Sequence, residues 1–122
     1  MISRLPWFTC VMLVFAVEPL LAAVGGELPP GIGQLLQQHC AECHSGDQGE
    51  SDFTIDTLTF ELDDPATRHR WVGIFDRVAQ REMPPADSSK LSDGDRTHWL
   101  GQLRPLLEEA EVRHVLQHGR GP

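Results

Sequence analysis

The stretch Cys40-Ala41-Glu42-Cys43-His44 decides the architecture of this chain. On a helical turn, residues at i, i+3 and i+4 leave from one face, so the side chains of Cys40, Cys43 and His44 converge on one side. C-x-x-C-H is the attachment signature of a c-type haem. The two thiols suit the two vinyl groups of a porphyrin, and the imidazole suits the proximal position on iron. The pattern therefore predicts one covalently bound haem c with its iron.

Other readings of the two cysteines remain open from the spacing alone. An exported chain can close C-x-x-C as a small disulfide, which would give a stapled interaction module without haem. A thioredoxin-like redox pair requires a βαβ context, and the sequence around Cys40 shows no strand before it. A structural zinc site normally uses four ligands, and His44 directly follows Cys43, where it is poorly placed to share a tetrahedral site.

The N-terminal segment, residues 1–23, has the pattern of a cleaved signal peptide. Arg4 gives a short basic region, residues 7–17 form an apolar run, and cleavage is expected after Ala23. Glu18 interrupts the apolar run, so it is too short to span a bilayer comfortably. We expect a periplasmic or secreted protein with no membrane span after cleavage.

Removal of that segment leaves about 100 residues, which is the size of one domain. Residues 24–30 contain consecutive prolines and form a stiff leader. Residues 31–104 are predicted to be the haem domain, and residues 105–122 a C-terminal helical extension.

Acidic residues dominate the first part of the predicted mature chain, and the formal net charge of the whole sequence is −8 at pH 7. Residues 24–67 contain no Lys or Arg. This excess makes nucleic acid an improbable partner. It suits either a solubilising surface or a face that attracts a basic redox partner. The acidic residues of this stretch are Glu27, Glu42, Asp47, Glu50, Asp52, Asp56, Glu61, Asp63 and Asp64.

Apolar spacing predicts helices and no strand pair, so the expected fold class is all-α. The helices are expected at about 31–41, from Asp64-Pro65 to about Gln80, and from a capping box at 92–95 to about 117. Pro105 should kink or restart the last helix. Residues 45–52 should form a loop, and residues 53–58 an extended segment over the core. The predicted inward residues are Ile32, Leu35, Leu36, His39, Trp71, Val72, Phe75, Val78, Ala79, Trp99, Leu100, Leu103, Leu106, Leu107, Ala110 and Val115.

Met83 is the leading candidate for the second axial ligand of the iron. It is the one methionine that remains after signal cleavage, and it follows an aromatic-rich helix. Pro84 restricts the backbone of Met83 to extended angles, and Pro85 stiffens the exit, so the thioether would lose little freedom on coordination. A gap-filling core methionine is the alternative. The histidines that compete for the same role are His39, His69, His98, His114 and His118.

Several separated motifs resemble the planctomycete-type cytochrome c domain, a branch of the small all-helical, class I-like monohaem cytochromes. The resemblance implies a small class I-like cytochrome c fold, with helices packed around one covalently bound haem. The resemblance covers about residues 31–103, and its most specific part is the E-M-P-P element after a helix that contains tryptophan. The pieces are Leu36-x-x-His39-Cys40-x-x-Cys43-His44, Ile55-Asp56-Thr57-Leu58, Trp71-x-x-Ile74-x-x-x-Val78, Arg81-Glu82-Met83-Pro84-Pro85, and Leu91-Ser92-Asp93 leading to Trp99-Leu100.

The resemblance implies a role for each matched residue. Thioether links form at Cys40 and Cys43, and His44 and Met83 are the proximal and distal iron ligands. The aromatic residues expected to line or support the haem pocket are Trp71, Phe75 and Trp99.

The expected function is single-electron transfer between larger redox proteins, as an electron carrier rather than an enzyme. The alternative is a five-coordinate haem enzyme or a gas or redox sensor, in which the methionine is displaced by a small ligand.

Overall fold

The computed structural model describes residues 26–46, 53–87 and 91–119. Four α-helices and one 3₁₀ turn account for most of these residues, and no strand occurs among them, which confirms the all-α class. The helices are α1 (Pro30–His39), α2 (Ala41–His44), α3 (Pro65–Ala79) and α4 (Asp93–His118), and the 3₁₀ turn spans Ile55–Thr57. None of the described helices is long and apolar enough to cross a membrane. The predicted signal peptide and most of the predicted loop at 45–52 lie outside the described residues.

Helix α1 forms close to its predicted bounds. Pro30 occupies the first helical position, where a missing N–H costs nothing and the fixed φ of proline suits the helix. The stripe of Ile32, Leu35 and Leu36 is buried, as its spacing predicts. The helix ends at Cys40, whose φ of −119° departs from helical values.

The start of α3 confirms the predicted cap. Asp64 accepts a hydrogen bond from the backbone N–H of Thr67 at 2.7 Å, and Pro65 takes the first helical position. The carboxylate thereby satisfies one of the N–H groups that a helix start leaves without an internal partner. That hydrogen bond holds the pKa of Asp64 below its ordinary value.

The end of α3 agrees with the prediction within one residue. The helix ends in a turn at Arg81, which precedes Pro84 and Pro85. Arg81 has a φ of +63°, in the left-handed region that closes many helices. This turn lets the N–H groups of Glu82 and Met83 both donate to the carbonyl of Arg77, at 2.9 and 3.1 Å. The reversal places the chain around Met83 against the last turn of α3.

The inward face of α3 is narrower than the sequence predicts. Trp71 and Val78 are buried and Phe75 is half-buried, as expected. Val72 and Ala79 are exposed, which corrects their predicted inward placement. The buried stripe instead continues through Arg68, because α3 contacts the rest of the described fold along a single side.

Helix α4 begins with the predicted capping box. The hydroxyl oxygen of Ser92 accepts from the N–H of Asp95 at 3.0 Å and donates to its carboxylate at 2.6 Å. The helix then runs without a break through Pro105 to His118, with Gly119 as its C-cap. Of the predicted kink or restart at Pro105, the restart is therefore wrong, and the kink stays a prediction. Val115, expected on the inward face, is 53 % exposed. The buried residues of α4 are Arg96, Trp99, Leu103, Leu107 and Ala110.

The segment before α3 differs from its prediction. Residues 55–57 form a 3₁₀ turn rather than an extended segment. The cause is local, since the hydroxyl of Thr54 accepts from the N–H of Asp56 and closes the backbone into a turn. Ile55 is buried, so this segment does lie over the core as expected.

Helices α1 and α4 run antiparallel in close contact. Early in α1, the carbonyl of Ile32 accepts from the indole N–H of Trp99 at 3.3 Å. A Cβ on Gly31 would come 2.6 Å from the side-chain oxygen of Gln102, so this approach requires glycine unless that side chain moves. At the C-terminal end of α1, His39 shares a small pocket with His98.

Helices α3 and α4 are also antiparallel. Arg68 near the start of α3 pairs with Glu111 in the second half of α4 at 3.0 Å. At the other end, Arg96 in the first turns of α4 donates to the carbonyl of Val78 near the end of α3. The C-terminal ends of α1 and α3 therefore meet at the same end of the molecule, where α4 begins.

Candidate functional site

Cys40, Cys43 and His44 lie on one continuous turn between α1 and α2. The N–H of Cys40 donates to Leu36, the last intrahelical bond of the α1 register, at 2.9 Å. The carbonyl of Cys40 then accepts from the N–H groups of Cys43 and His44 at 3.2 and 2.9 Å. This pattern confirms the predicted helical spacing and places three reactive side chains within one turn.

The two cysteines are free thiols in different surroundings. Cys40 is half-buried and packs against the hydrophobic core, whereas Cys43 is exposed. Burial, and to a smaller extent the neighbouring Cys43, raise the pKa of the Cys40 thiol to about 11. Cys40 is thus a neutral thiol at the edge of an apolar core.

The imidazole of His44 is held by the backbone of the next described segment. Its Nδ1 lies 3.3 Å from the carbonyl oxygen of Phe53, and the two rings meet edge to face at 5.2 Å between centroids. A carbonyl oxygen can only accept, so Nδ1 carries the proton and donates it. In the neutral imidazole this leaves Nε2 as the acceptor nitrogen, which is the form of histidine that binds a metal.

Asp56 fixes the chain that leaves the turn. Its carboxylate accepts from the N–H of Gly46 at 2.6 Å and from the hydroxyl of Thr54 at 3.2 Å. The bond from Gly46 is the main reason that the pKa of Asp56 lies below its ordinary value. Gly46 has a φ of +75°, which residues with a Cβ rarely adopt. With the bond from His44, this contact ties residues 44–46 to residues 53–56.

Met83 lies half-buried just after α3, with its backbone held on both sides. Its N–H donates to Arg77, and its carbonyl accepts from the guanidinium of Arg96 at 3.0 Å. Pro84, which follows, is buried. Because α1 and α3 end at the same end of the molecule, the Met83 segment and the Cys40–His44 turn share that end.

The rival histidines divide between the two ends of the molecule. His69 lies on the first half of α3, and His114 and His118 lie on the last turns of α4, so all three occupy the end opposite His44. His39 and His98 lie at the same end as His44, beside a shared pocket of about 180 Å³. The side chain of His98 also meets the amide of Gln102 at 3.1 Å. His98 is therefore the histidine whose position competes best with Met83.

The predicted pocket aromatics occupy different depths. Trp71 and Trp99 are almost completely buried at 0 % and 1 % exposure, and both indole N–H groups donate to backbone carbonyls. Phe75 is half-buried, with the guanidinium of Arg104 4.9 Å above its ring. The tryptophans support the core from within, and Phe75 lies at its edge; their contact with a haem stays a prediction.

A second, larger cleft of about 460 Å³ does not coincide with these residues. It is lined by residues of the leader, the segment before α3 and the second half of α4, among them Pro29, Leu62 and Arg113. These residues belong to the end opposite the Cys40–His44 turn. The larger cleft therefore does not include the C-x-x-C-H motif. The candidate site is identified instead by the thiol and imidazole groups of that motif.

The donor set fits a covalently attached haem. Two free thiols and an imidazole whose Nδ1 meets a backbone carbonyl share one turn, and this turn adjoins the apolar core. Two thiols and a histidine within one turn are the donor set by which c-type haems are held.

Residues 40–87 match the family described as Planctomycete cytochrome C. The match runs from the first cysteine of the motif through Met83 and confirms the resemblance over this segment, which is less than half of the chain. The family is one of haem-binding cytochromes and implies haem c with its iron. No curated protein and no solved structure matches the chain.

Three contacts of this site were not found in the sequence. The Phe53 carbonyl is a backbone group and leaves no mark on residue identity. Thr54-x-Asp56 has the form of a side-chain-capped turn, so the sequence does carry a signal for this contact. Arg96 occupies an inward position of α4 that apolar periodicity would not assign to a cation.

Proposed function

We propose that this protein is an exported monohaem cytochrome c that carries single electrons between larger redox proteins. Cys40 and Cys43 hold the haem covalently, His44 is the proximal ligand of its iron, and Met83 is the distal ligand. When bound, the group supplies a one-electron ferrous/ferric couple.

The orientation of His44 is the observation that carries this proposal. Its hydrogen bond to the Phe53 carbonyl fixes the tautomer that coordinates a metal through Nε2. Such a second contact is the usual partner of a metal-binding histidine, because it fixes the ring and raises the basicity of the ligand nitrogen. The C-x-x-C-H turn therefore carries an imidazole already oriented as a ligand.

The state of the thiols suits attachment. Each thiol would form one sulfur–carbon bond by addition to a vinyl group, and the hydrogen of its S–H bond would go to the other vinyl carbon. Such an addition has no leaving group and would require reduced cysteines, and Cys40 and Cys43 form no disulfide. The buried Cys40 and the exposed Cys43 place one link at the core edge and one toward solvent.

The distal role of Met83 rests on its position and its constraints. It lies at the same end of the molecule as His44, and its backbone is hydrogen-bonded through both N–H and C=O. A thioether on the distal side favours ferrous iron and gives a higher potential than a second imidazole. With both axial positions filled from the protein, oxidation and reduction require little rearrangement of the chain.

Export and redox partners complete the proposal. The pattern of residues 1–23 supports export to the periplasm or the exterior, where haem is attached to proteins of this class. The electron donor and acceptor are other redox proteins. Asp56 and Glu42 are exposed on or beside the Cys40–His44 turn, and a basic partner surface would complement them.

Spectra of the protein produced in a host that attaches haem c test this proposal. We expect a low-spin six-coordinate spectrum and a haem stain that survives a denaturing gel. Replacing both Cys40 and Cys43 with Ala should abolish the stain, and Ser45→Ala next to the motif is the matched control. A stain that persists in the double variant would exclude covalent attachment at these cysteines, and a high-spin spectrum in the parent protein would favour the five-coordinate enzyme or sensor.

The same spectra assign the distal ligand. The ferric protein should show the weak near-infrared charge-transfer band of an iron–methionine bond, and Met83→Ala should remove it and lower the midpoint potential. His98→Ala is the matched control, because this residue lies at the same end of the molecule. If Met83→Ala leaves band and potential unchanged while His98→Ala alters the spectrum, the distal ligand is His98.

A further inference from the structure

Arg96 is a buried cation beside the candidate distal ligand. It lies in the first turns of α4 and is 9 % exposed. One guanidinium nitrogen, Nη1, donates to two carbonyls, that of Val78 at the end of α3 and that of Met83. A single side chain thus bridges α4, α3 and the Met83 segment.

Core stability alone does not explain an arginine at this position. Within the described part of the chain, Arg96 forms no ion pair with a carboxylate, and its buried Nε has no hydrogen-bond partner. A buried donor without a partner typically costs about 1–3 kcal/mol. An apolar side chain would avoid this cost, but it would leave the Met83 carbonyl without this donor. The arginine therefore does something that a methionine or leucine there would not.

Its distinctive contact is with the backbone of Met83. Without Arg96, the Met83 N–H would still be held by Arg77, but the carbonyl would lose its partner. A neutral thioether is a weak ligand, so its occupancy depends on how little freedom the residue loses on binding. Hydrogen bonds to the carbonyl as well as from the N–H restrain the backbone of Met83 before its side chain binds a metal.

We infer that Arg96 is a positioning residue that holds Met83 in place for coordination of the haem iron. This inference rests on the proposed function, and its effect passes through the Met83 backbone. The hydrogen bond from Arg96 goes to the Met83 carbonyl and not to the Met83 sulfur. A second consequence is that displacement of Met83 by an external ligand requires loosening of the contact between Arg96 and Met83.

Cyanide binding to the ferric holoprotein tests the inference, because cyanide enters only where the distal ligand leaves. Arg96→Met should raise the rate of cyanide binding on the order of tenfold, the factor that corresponds to freeing about one backbone residue. The variant should also weaken the near-infrared band and lower the midpoint potential. Arg96→Lys keeps the charge and offers one donor group, so its rate should lie between the two.

Arg68→Met is the matched control. Arg68 is also a buried arginine, and it donates to the Leu62 carbonyl and to Glu111 at the other end of α3. Its replacement should lower the free energy of unfolding and leave the cyanide rate, the band and the potential unchanged. This comparison separates a local effect on Met83 from general loosening of the fold.

The outcomes are distinct. If Arg96→Met and Arg96→Lys bind cyanide at the parental rate, or if Arg68→Met accelerates binding equally, the positioning role is overturned. If Arg96→Met does not fold, the Arg96→Lys rate decides alone: an intermediate increase supports the role and a parental rate overturns it. If the parent protein shows no iron–methionine band, Met83 ligation fails, which is a different result from failure of the Arg96 contact.

Discussion

Asp56 connects the turn that carries His44 to the segment that orients it. Its carboxylate holds the N–H of Gly46, two residues beyond His44, while Phe53, three residues before Asp56, supplies the carbonyl for the imidazole. The orientation of His44 thus depends on residues outside the C-x-x-C-H motif. Asp56 is exposed and its pKa lies below the ordinary value of 3.8, chiefly because of the Gly46 bond.

Replacement of Asp56 by Asn should change how stability depends on pH. A carboxyl group with a lowered pKa in the folded state stabilises the protein above its ordinary pKa, and this contribution is lost as pH falls below about 3.8. The parent holoprotein should therefore melt at a higher temperature than Asp56→Asn at pH 7, and the difference should shrink as pH falls below about 3.8. Thermal melts between pH 3 and 7 measure this difference.

Asp76→Asn, an exposed change on α3, is the control for that series. It should follow the parent protein across the whole range. A difference between parent and Asp56→Asn that stays constant down to pH 3 would show that the charge on Asp56 does not stabilise the turn.

At the scale of elements, α4 is unusual because it continues through a proline. Pro105 cannot donate to the carbonyl of Gly101 four residues earlier, and its ring crowds that carbonyl. Both residues are exposed, so water can satisfy the free carbonyl. The helix persists because Leu103 and Leu107, on either side of Pro105, are both buried in the core. Tertiary packing here outweighs the local preference to break.

Pro105→Ala should therefore stabilise the protein. Alanine restores the missing backbone bond and removes the steric clash, which together stabilise the folded state by about 3 kcal/mol. Alanine also makes the unfolded chain more flexible, which reduces this gain by up to about 1 kcal/mol. We expect a net gain of about 2 kcal/mol in the free energy of unfolding, measured by urea denaturation. Pro65→Ala at the first position of α3, where proline is favoured, should give no gain. Equal effects at the two prolines would contradict this account.

At the scale of the whole molecule, the second half of α4 belongs to the same core as the Cys40–His44 turn. Leu107 and Ala110 are buried in the cluster that also contains Ile32 of α1 and Trp71 of α3. Arg113 pairs with Asp63 at 3.0 Å and connects this half to the segment before α3. The predicted C-terminal extension from residue 105 is thus continuous with the domain in the structure, although its last turns carry exposed Val112, Val115 and Leu116.

Two truncations separate these parts. A chain that ends after Arg104 loses Leu107 and Ala110, and removal of one buried leucine side chain alone typically costs about 2–5 kcal/mol. We expect this chain to be degraded or to fail to retain haem in cells. A chain that ends after His114 loses residues 115–119, which are all exposed, and the undescribed residues 120–122. It should give the parental spectrum and melting temperature within a few degrees. Normal haem content after truncation at Arg104 would show that the second half of α4 is dispensable.

Sequence alone determined the features whose cause is local. The C-x-x-C-H spacing, the Asp64 cap and the Ser92 capping box each depend on residues within a few positions, so they could be identified without the fold. Apolar periodicity gave the all-α class and most of the buried residues, including Ile32, Trp71 and Trp99. The Thr54 turn was local as well, but the alternation of polarity after Phe53 obscured it.

Only the tertiary structure decided features that join distant parts of the chain. The Phe53 carbonyl on His44 and the Arg96 bridge to Met83 depend on how segments meet, and a backbone acceptor has no identity in a sequence. The continuity of α4 through Pro105 depends on the side along which the helices pack. The same packing decides that Val78 faces inward and Val72 outward. These outcomes follow from the antiparallel contacts of α1 and α3 with α4, which bring the Cys40–His44 turn and Met83 to one end of the molecule.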